Sequence, residues 1–133
     1  VIEESIETIE SGYEFLLAYA AQGRPAGLES GPGPHARPTL QGIAEAMNNL
    51  VEAFAQSSVS FEIVIANDCR NAGAALEFIL AQEKIGSEIV DNLNASIHVR
   101  AVLTDLFLYS EAKGPLDTAE PESLSYDATQ GKN

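Results

Sequence analysis

Apolar side chains recur along this chain at helical spacing, and that repetition confines it to a narrow set of folds. Ile2, Ile6, Ile9, Tyr13, Leu16 and Ala20 follow one another at steps of four, three, four, three and four. Leu40, Ile43, Met47, Leu50 and Phe54 repeat the pattern, as do Ile65, Cys69, Ala72, Leu76 and Ile79. At 3.6 residues per turn such a stripe occupies one face of a helix, and that face must be buried against another. The predicted class is therefore all-α, a four-helix bundle with helices over 2–22, 39–56, 60–83 and 87–112. The fourth would carry Val90, Leu93, Ile97, Ala101, Leu106 and Leu108 on a broad apolar arc.

The connections are read from the breakers. Half of residues 23–38 are Gly or Pro, so they form a long linker between helices 1 and 2, with Thr39 as the N-cap of the second helix. Arg24, His35 and Arg37 make this linker a local basic spot in an acidic chain. Its two readings are a mobile crossover and a segment that orders on an anionic partner. Ser57, Ser58 and Ser60 interrupt the next stretch softly, and Gly86-Ser87 supplies a stop followed by a capping serine. Val59, Phe61, Ile63 and Ile65 alternate as a strand would, but no second run is available to pair with them, so helix is preferred. Residues 114–133 hold two prolines, many small polar residues and no periodicity, which predicts a disordered acidic tail after a helical domain over 1–113.

Charge and composition narrow the functions. The chain has 133 residues, 20 acids against 7 bases, and a net charge of -13. That balance repels phosphate backbones and anionic lipid, so neither nucleic acid nor membrane is an expected partner. No apolar run reaches the ~18 residues that a membrane span needs. The one cysteine, Cys69, excludes an internal disulfide and suits a reducing compartment, so a cytoplasmic location is expected. Glu3, Glu7, Glu10 and Glu14 form an acidic stripe on the first helix, read as a solvated face or as a surface for a basic partner.

Candidate chemistry is sparse. A di-iron bundle needs a Glu three residues before a core-facing His, and Pro32 and Ala95 hold those places before His35 and His98. One Cys and two His do not close a zinc site. No metal and no cofactor is expected. A Cys69–His98 nucleophilic pair has no spacing argument behind it. The stretch least suited to a plain bundle is Asn67-Asp68-Cys69-Arg70-Asn71, followed by Ala72-Gly73-Ala74-Ala75. Polar residues beside small ones leave two readings. In one, Asn67, Arg70, Asn71 and Glu77 lie on an exposed face with Asp68 at its flank, and the small residues permit tight packing. The other is a buried polar network or polar pocket between helices 3 and 4, formed by Asn67, Asp68, Arg70, Asn71, His98 and Arg100. In that pocket Asp68 and Arg70 would pair with Arg100 and Asp105. Small residues there would let a backbone or flat ligand approach closely.

The runs Phe15-Leu16-Leu17 and Leu106-Phe107-Leu108 place apolar residues on more than one helix face. The surplus predicts self-association or burial against a partner chain. The expected function is a non-enzymatic interaction module (an adaptor, chaperone-like or regulatory subunit), forming a homo-oligomer and possessing no catalytic constellation. The alternative is a small-molecule-binding or enzymatic bundle built on the polar pocket.

Overall fold

The computed structural model describes residues 1–25 and 35–113, and every regular element in that range is helical. The elements are α1 (Ile2–Ala21), α2 (Ala36–Phe54), α3 (Ser60–Leu80), α4 (Ser87–Asn94) and α5 (Ile97–Lys113). The alternating run from Val59 to Ile65 lies in α3 and its N-cap, as helix rather than strand. The central part of the predicted linker, 26–34, and the predicted tail, 114–133, lie outside the described residues.

Each long helix packs antiparallel to the next. Ile2 and Ile6 share a groove with Ala53 and Phe54, while Gly12 lies against Thr39 and Ile43, so α1 and α2 run in opposite directions. A short turn reverses the chain into α3. Glu62 of α3 accepts a 2.6 Å hydrogen bond from the hydroxyl of Tyr109, near the end of α5, which fixes α5 antiparallel to α3. The core is one cluster drawn from all five helices, with Ile9, Leu16, Tyr19, Leu40, Leu50 and Leu106 among its most enclosed side chains. The stripes on α2 and α3 are buried at every position named from the sequence.

Two boundaries lie three residues from the sequence expectation, each for a local reason. α2 begins at Ala36, with His35 rather than Thr39 at its N-cap. Pro38 is the third residue of the helix, in the first turn, where its missing N–H has no intrahelical partner to lose. Thr39 is helical, and its hydroxyl donates back to the carbonyl of His35 at 2.8 Å. α3 stops at Leu80 rather than at residue 83 because its last carbonyls turn toward Arg37. That guanidinium donates to the carbonyls of Leu80 and Gln82, both at 2.7 Å, and to Glu83 at 3.3 Å. The partially negative end of one helix is thus covered by a cation from the start of another. Much of the basic spot seen in the sequence is consumed internally, since Arg24 also stacks over the Tyr19 ring at 5.4 Å.

The expected fourth helix is two. α4 ends at Asn94 and α5 starts at Ile97, with neither Gly nor Pro between them. Asn94 is buried, and its side-chain amide donates to the carbonyl of Leu16 at 3.1 Å. Ser96 accepts a hydrogen bond on its hydroxyl from the N–H of His98, two residues on, in the manner of an N-cap. Asn and Ser gain more from such bonds than from continuing a helix. Ser87, expected to cap its own helix, is the first residue of α4. Its hydroxyl donates to Tyr19 O at 2.6 Å and accepts from the N–H of Arg24 at 2.7 Å.

The side chain of Ile43 on α2 packs directly against the backbone of α1 at Gly12. A Cβ at Gly12 would stand 2.6 Å from Ile43 Cγ1 and 2.7 Å from its Cδ1, whereas one at Gly42 or Gly73 would meet nothing within 4 Å. Ala favours a helix over Gly by about 1 kcal/mol, so substitution at the open positions gains that preference while Gly12 adds a clash. We expect Gly42→Ala and Gly73→Ala each to stabilise by roughly 0.5–1 kcal/mol. Gly12→Ala should destabilise by roughly 1–3 kcal/mol. Urea denaturation of the three variants checks the signs, and a stabilised Gly12→Ala would refute the close approach.

Candidate functional site

The six residues expected to share a polar pocket do not stand alike. Asn67, Arg70 and Asn71 on α3 are exposed, as are His98 and Arg100 on α5; Asp68 alone is half-buried. Successive helical residues are 100° apart, so Asp68 and Arg70 diverge by 200° and cannot serve the same seam. Arg70 donates to Asn67 Oδ1 at 2.9 Å and lies along the groove between α2 and α3, beside Asn48 and Glu77. The small residues after it split in the same way: Ala72 is fully buried, Gly73 borders that groove and Ala74 is exposed.

Asp68 faces α5, and what it meets there is Asp105 rather than an arginine. The two carboxyl groups are within hydrogen-bonding reach across the α3–α5 seam. Asp105 Oδ2 is shut off from solvent and has no hydrogen-bond partner of the ordinary kind, neither an N–H nor a hydroxyl. A hydrogen bond between two carboxyl groups requires a proton on one of them, because two carboxylates only repel. Burial first, and then the hydrogen bond and charge of Asp68, push the Asp105 carboxyl up from 3.8 to about 7. Asp105 was visible in the sequence only as an imagined partner for a base, and its pairing with an acid had no signal there.

Cys69 lies behind this pair in the core. Burial, followed by the charges of Asp105 and Asp68, pushes its thiol up to about 12. A thiol so protonated at neutral pH is not a nucleophile. His98 is exposed on α5 while Cys69 is buried, so the two occupy different environments. Among the described residues no group of three or more His, Cys, Asp or Glu side chains is placed to hold a metal ion.

A broad concavity lies at the end of the described structure where α1 begins and α5 finishes. It is an open groove of about 1040 Å³ bordered by Ile2, Ile6, Phe54, Val59, Glu62 and Tyr109. Glu62 on its wall is already engaged, accepting from both Ser57 and Tyr109. More unusual is the apolar surface left outside. Phe78 is 69% exposed, Ile97 74%, Phe107 60% and Leu108 58%. No helix among the described residues is long and apolar enough to cross a membrane.

The carboxyl pair has a pH consequence. A folded pKa raised above the unfolded value means that the native state holds the extra proton. The resulting stability is fully present below pH 3.8 and is lost as pH rises through about 7. Asp105→Asn keeps a hydrogen-bond donor without the charge. We expect it to raise the urea midpoint at pH 8, with the gain over wild type shrinking steadily toward pH 4. Equal midpoints for the two proteins at pH 8 would show that the pair carries no such penalty. In comparisons with family models, curated proteins and solved structures, no family model, no curated protein and no solved structure matches this chain.

Proposed function

We propose that this chain is a non-enzymatic helical interaction module that self-associates, and that α1, α2, α3 and α5 act as a four-helix bundle with α4 as a wedge across α1. The observation that carries this reading is the exposure of Phe78, Ile97, Phe107 and Leu108 on α3 and α5, two helices whose opposite faces already fill the core. Large apolar side chains gathered at solvent mark interaction surfaces more often than scattered ones do. The module is a regulatory or adaptor subunit of the reducing cytoplasm, with the acidic face of α1 available to a basic partner; Glu3, Glu7 and Glu14 there are exposed and Glu10 half-buried. Light scattering on a sizing column, run on the full chain from about 1 to 100 µM, spans the range in which a dimer of micromolar Kd assembles. The expected outcome is a mass that climbs to the dimer; a monomer at every concentration sinks the self-association.

A second reading, a small-molecule site at the α3–α5 seam, has one observation in its favour, the enclosed oxygen of Asp105 that faces the carboxyl of Asp68 and meets neither an N–H nor a hydroxyl. Asn67, Arg70, Asn71, His98 and Arg100 would contribute only from the rim, since all five are exposed. Such a site would take a cationic amine, which replaces the shared proton. Under this reading a panel of small amines at pH 8 contains members that raise the melting temperature of the wild type and not of Asp105→Asn; equal shifts in both proteins dispose of it.

A further inference from the structure

α5 has two faces. Val99, Val102, Leu103 and Leu106 enter the core, yet Ile97, Arg100, Thr104, Phe107, Leu108 and Glu111 are all exposed. Those six fall at steps of three, four, three, one and three, which is the spacing of a seam on the opposite side of the helix. Three of them are large and apolar. The two that are charged carry a further signal.

Arg100 lies in the first turn of α5 and Glu111 in the last. Each therefore stands at the wrong end of its own helix dipole, a cation where the N–H groups point out and an anion where the carbonyls do. Neither finds a charged neighbour at the helical positions beside it. The i±3 and i±4 neighbours of Arg100 are Ser96, Ile97, Leu103 and Thr104; those of Glu111 within α5 are Phe107 and Leu108, and none is charged. Among the described residues neither side chain has an ion-pair or hydrogen-bond partner; the bonds at Arg100, from its N–H to Ser96 O at 3.0 Å and from Thr104 Oγ1 to its carbonyl at 2.8 Å, both use backbone.

A second copy of the same helix, laid antiparallel across this face, corrects both defects. We propose that the exposed face of α5 is an isologous dimer surface in which Arg100 of each copy pairs with Glu111 of the other. This rests on the self-association reading and adds the surface, the direction and the register to it. With the two-fold axis between the levels of Asp105 and Leu106, residue 100 opposes residue 111, and Phe107 falls level with Thr104 of the second copy, a small side chain that leaves room for the ring. Each charge then sits at the favourable end of its partner's dipole. A parallel pair would instead set Arg100 against Arg100 and Glu111 against Glu111. The charge pattern is self-complementary in one direction only, and it selects a second copy over an unrelated helix. One helix pair buries less than a standard interface does, so the dimer is a weak one, of micromolar order.

The test uses four full-length proteins at about 0.15 M salt, where repulsion between two acidic chains is screened beyond ~8 Å. They are the wild type, Arg100→Glu, Glu111→Arg and an equimolar mixture of the two variants, each checked by circular dichroism for unchanged helix and measured by sedimentation equilibrium. Each single variant turns both symmetric ion pairs into like-charge contacts, and is expected to weaken self-association by about tenfold or more. The mixture places two acids opposite two bases, so the variants should bind each other with roughly wild-type strength. Wild-type dimer that persists unchanged in both variants overturns the α5 surface and leaves self-association standing. Weakened variants that fail to bind each other overturn the antiparallel register. Monomer in the wild type at every concentration removes the surface and the self-association together.

Discussion

The structure depends on how buried helix ends are satisfied at the pole where α1 and α3 finish. An α-helix leaves its last carbonyls without intrahelical donors, and enclosing them without partners is costly. Here the donors come from distant parts of the chain. Ser87 reaches the Tyr19 carbonyl of α1, and Arg37 spans three carbonyls at the end of α3. The Ser87 hydroxyl also receives the Arg24 N–H, and the Ser87 N–H donates to the Arg24 carbonyl at 2.9 Å, which ties the exit of α1 to the entry of α4. Since α2 starts and α3 stops at the same place, one guanidinium sets the register of both.

Midway along the α3–α5 seam the chain tolerates less favourable chemistry. Asp68 and Asp105 face each other with one proton between them, and the cysteine behind them is held neutral. Hydrophobic burial along α3 and α5 compensates for this, through Ile65, Leu76, Val102 and Leu106. The seam is therefore stable because of its apolar length and in spite of its acids. Its outer edge is where the exposed apolar residues of α5 begin, so one helix joins an interior that favours protonated carboxyls to a surface with unmatched charge.

Much of this was legible from spacing alone. The stripes on α2 and α3 are buried at every named position, because each helix keeps one phase from end to end. The fourth stripe is buried at Val90, Leu93 and Leu106 and slips in phase elsewhere. Val90 and Leu93 are buried, but Ile97 and Leu108 are exposed, because the interruption at Ala95–Ser96 rotates α5 and delivers Val99, Val102 and Leu103 to the core instead. The signal was present in Asn94 and Ser96, two residues suited to helix ends, yet without a Gly or Pro it was weaker than the apolar arc around it. The polar cluster met a similar limit. Asn67 to Asn71 occupy consecutive positions and so point in all directions, and of the four polar side chains only Asp68 turns inward. Gly73 looked like the site of close packing, whereas Gly12 holds it, since what a glycine admits depends on the facing helix.

The interruption at Ala95–Ser96 has a dynamic consequence. α5 is joined to α4 by a two-residue hinge and makes most of its contacts with α3, so its opening need not involve the rest of the core. Sub-global unfolding in proteins tends to follow such boundaries. By that rule the unit expected to open first is the helix with solvent-facing apolar residues, ahead of α1, α2 and the inner face of α3. Cys69, the one thiol of the chain, lies on the α3 side of that boundary and would record each opening by the rate at which its amide and its sulfur meet solvent.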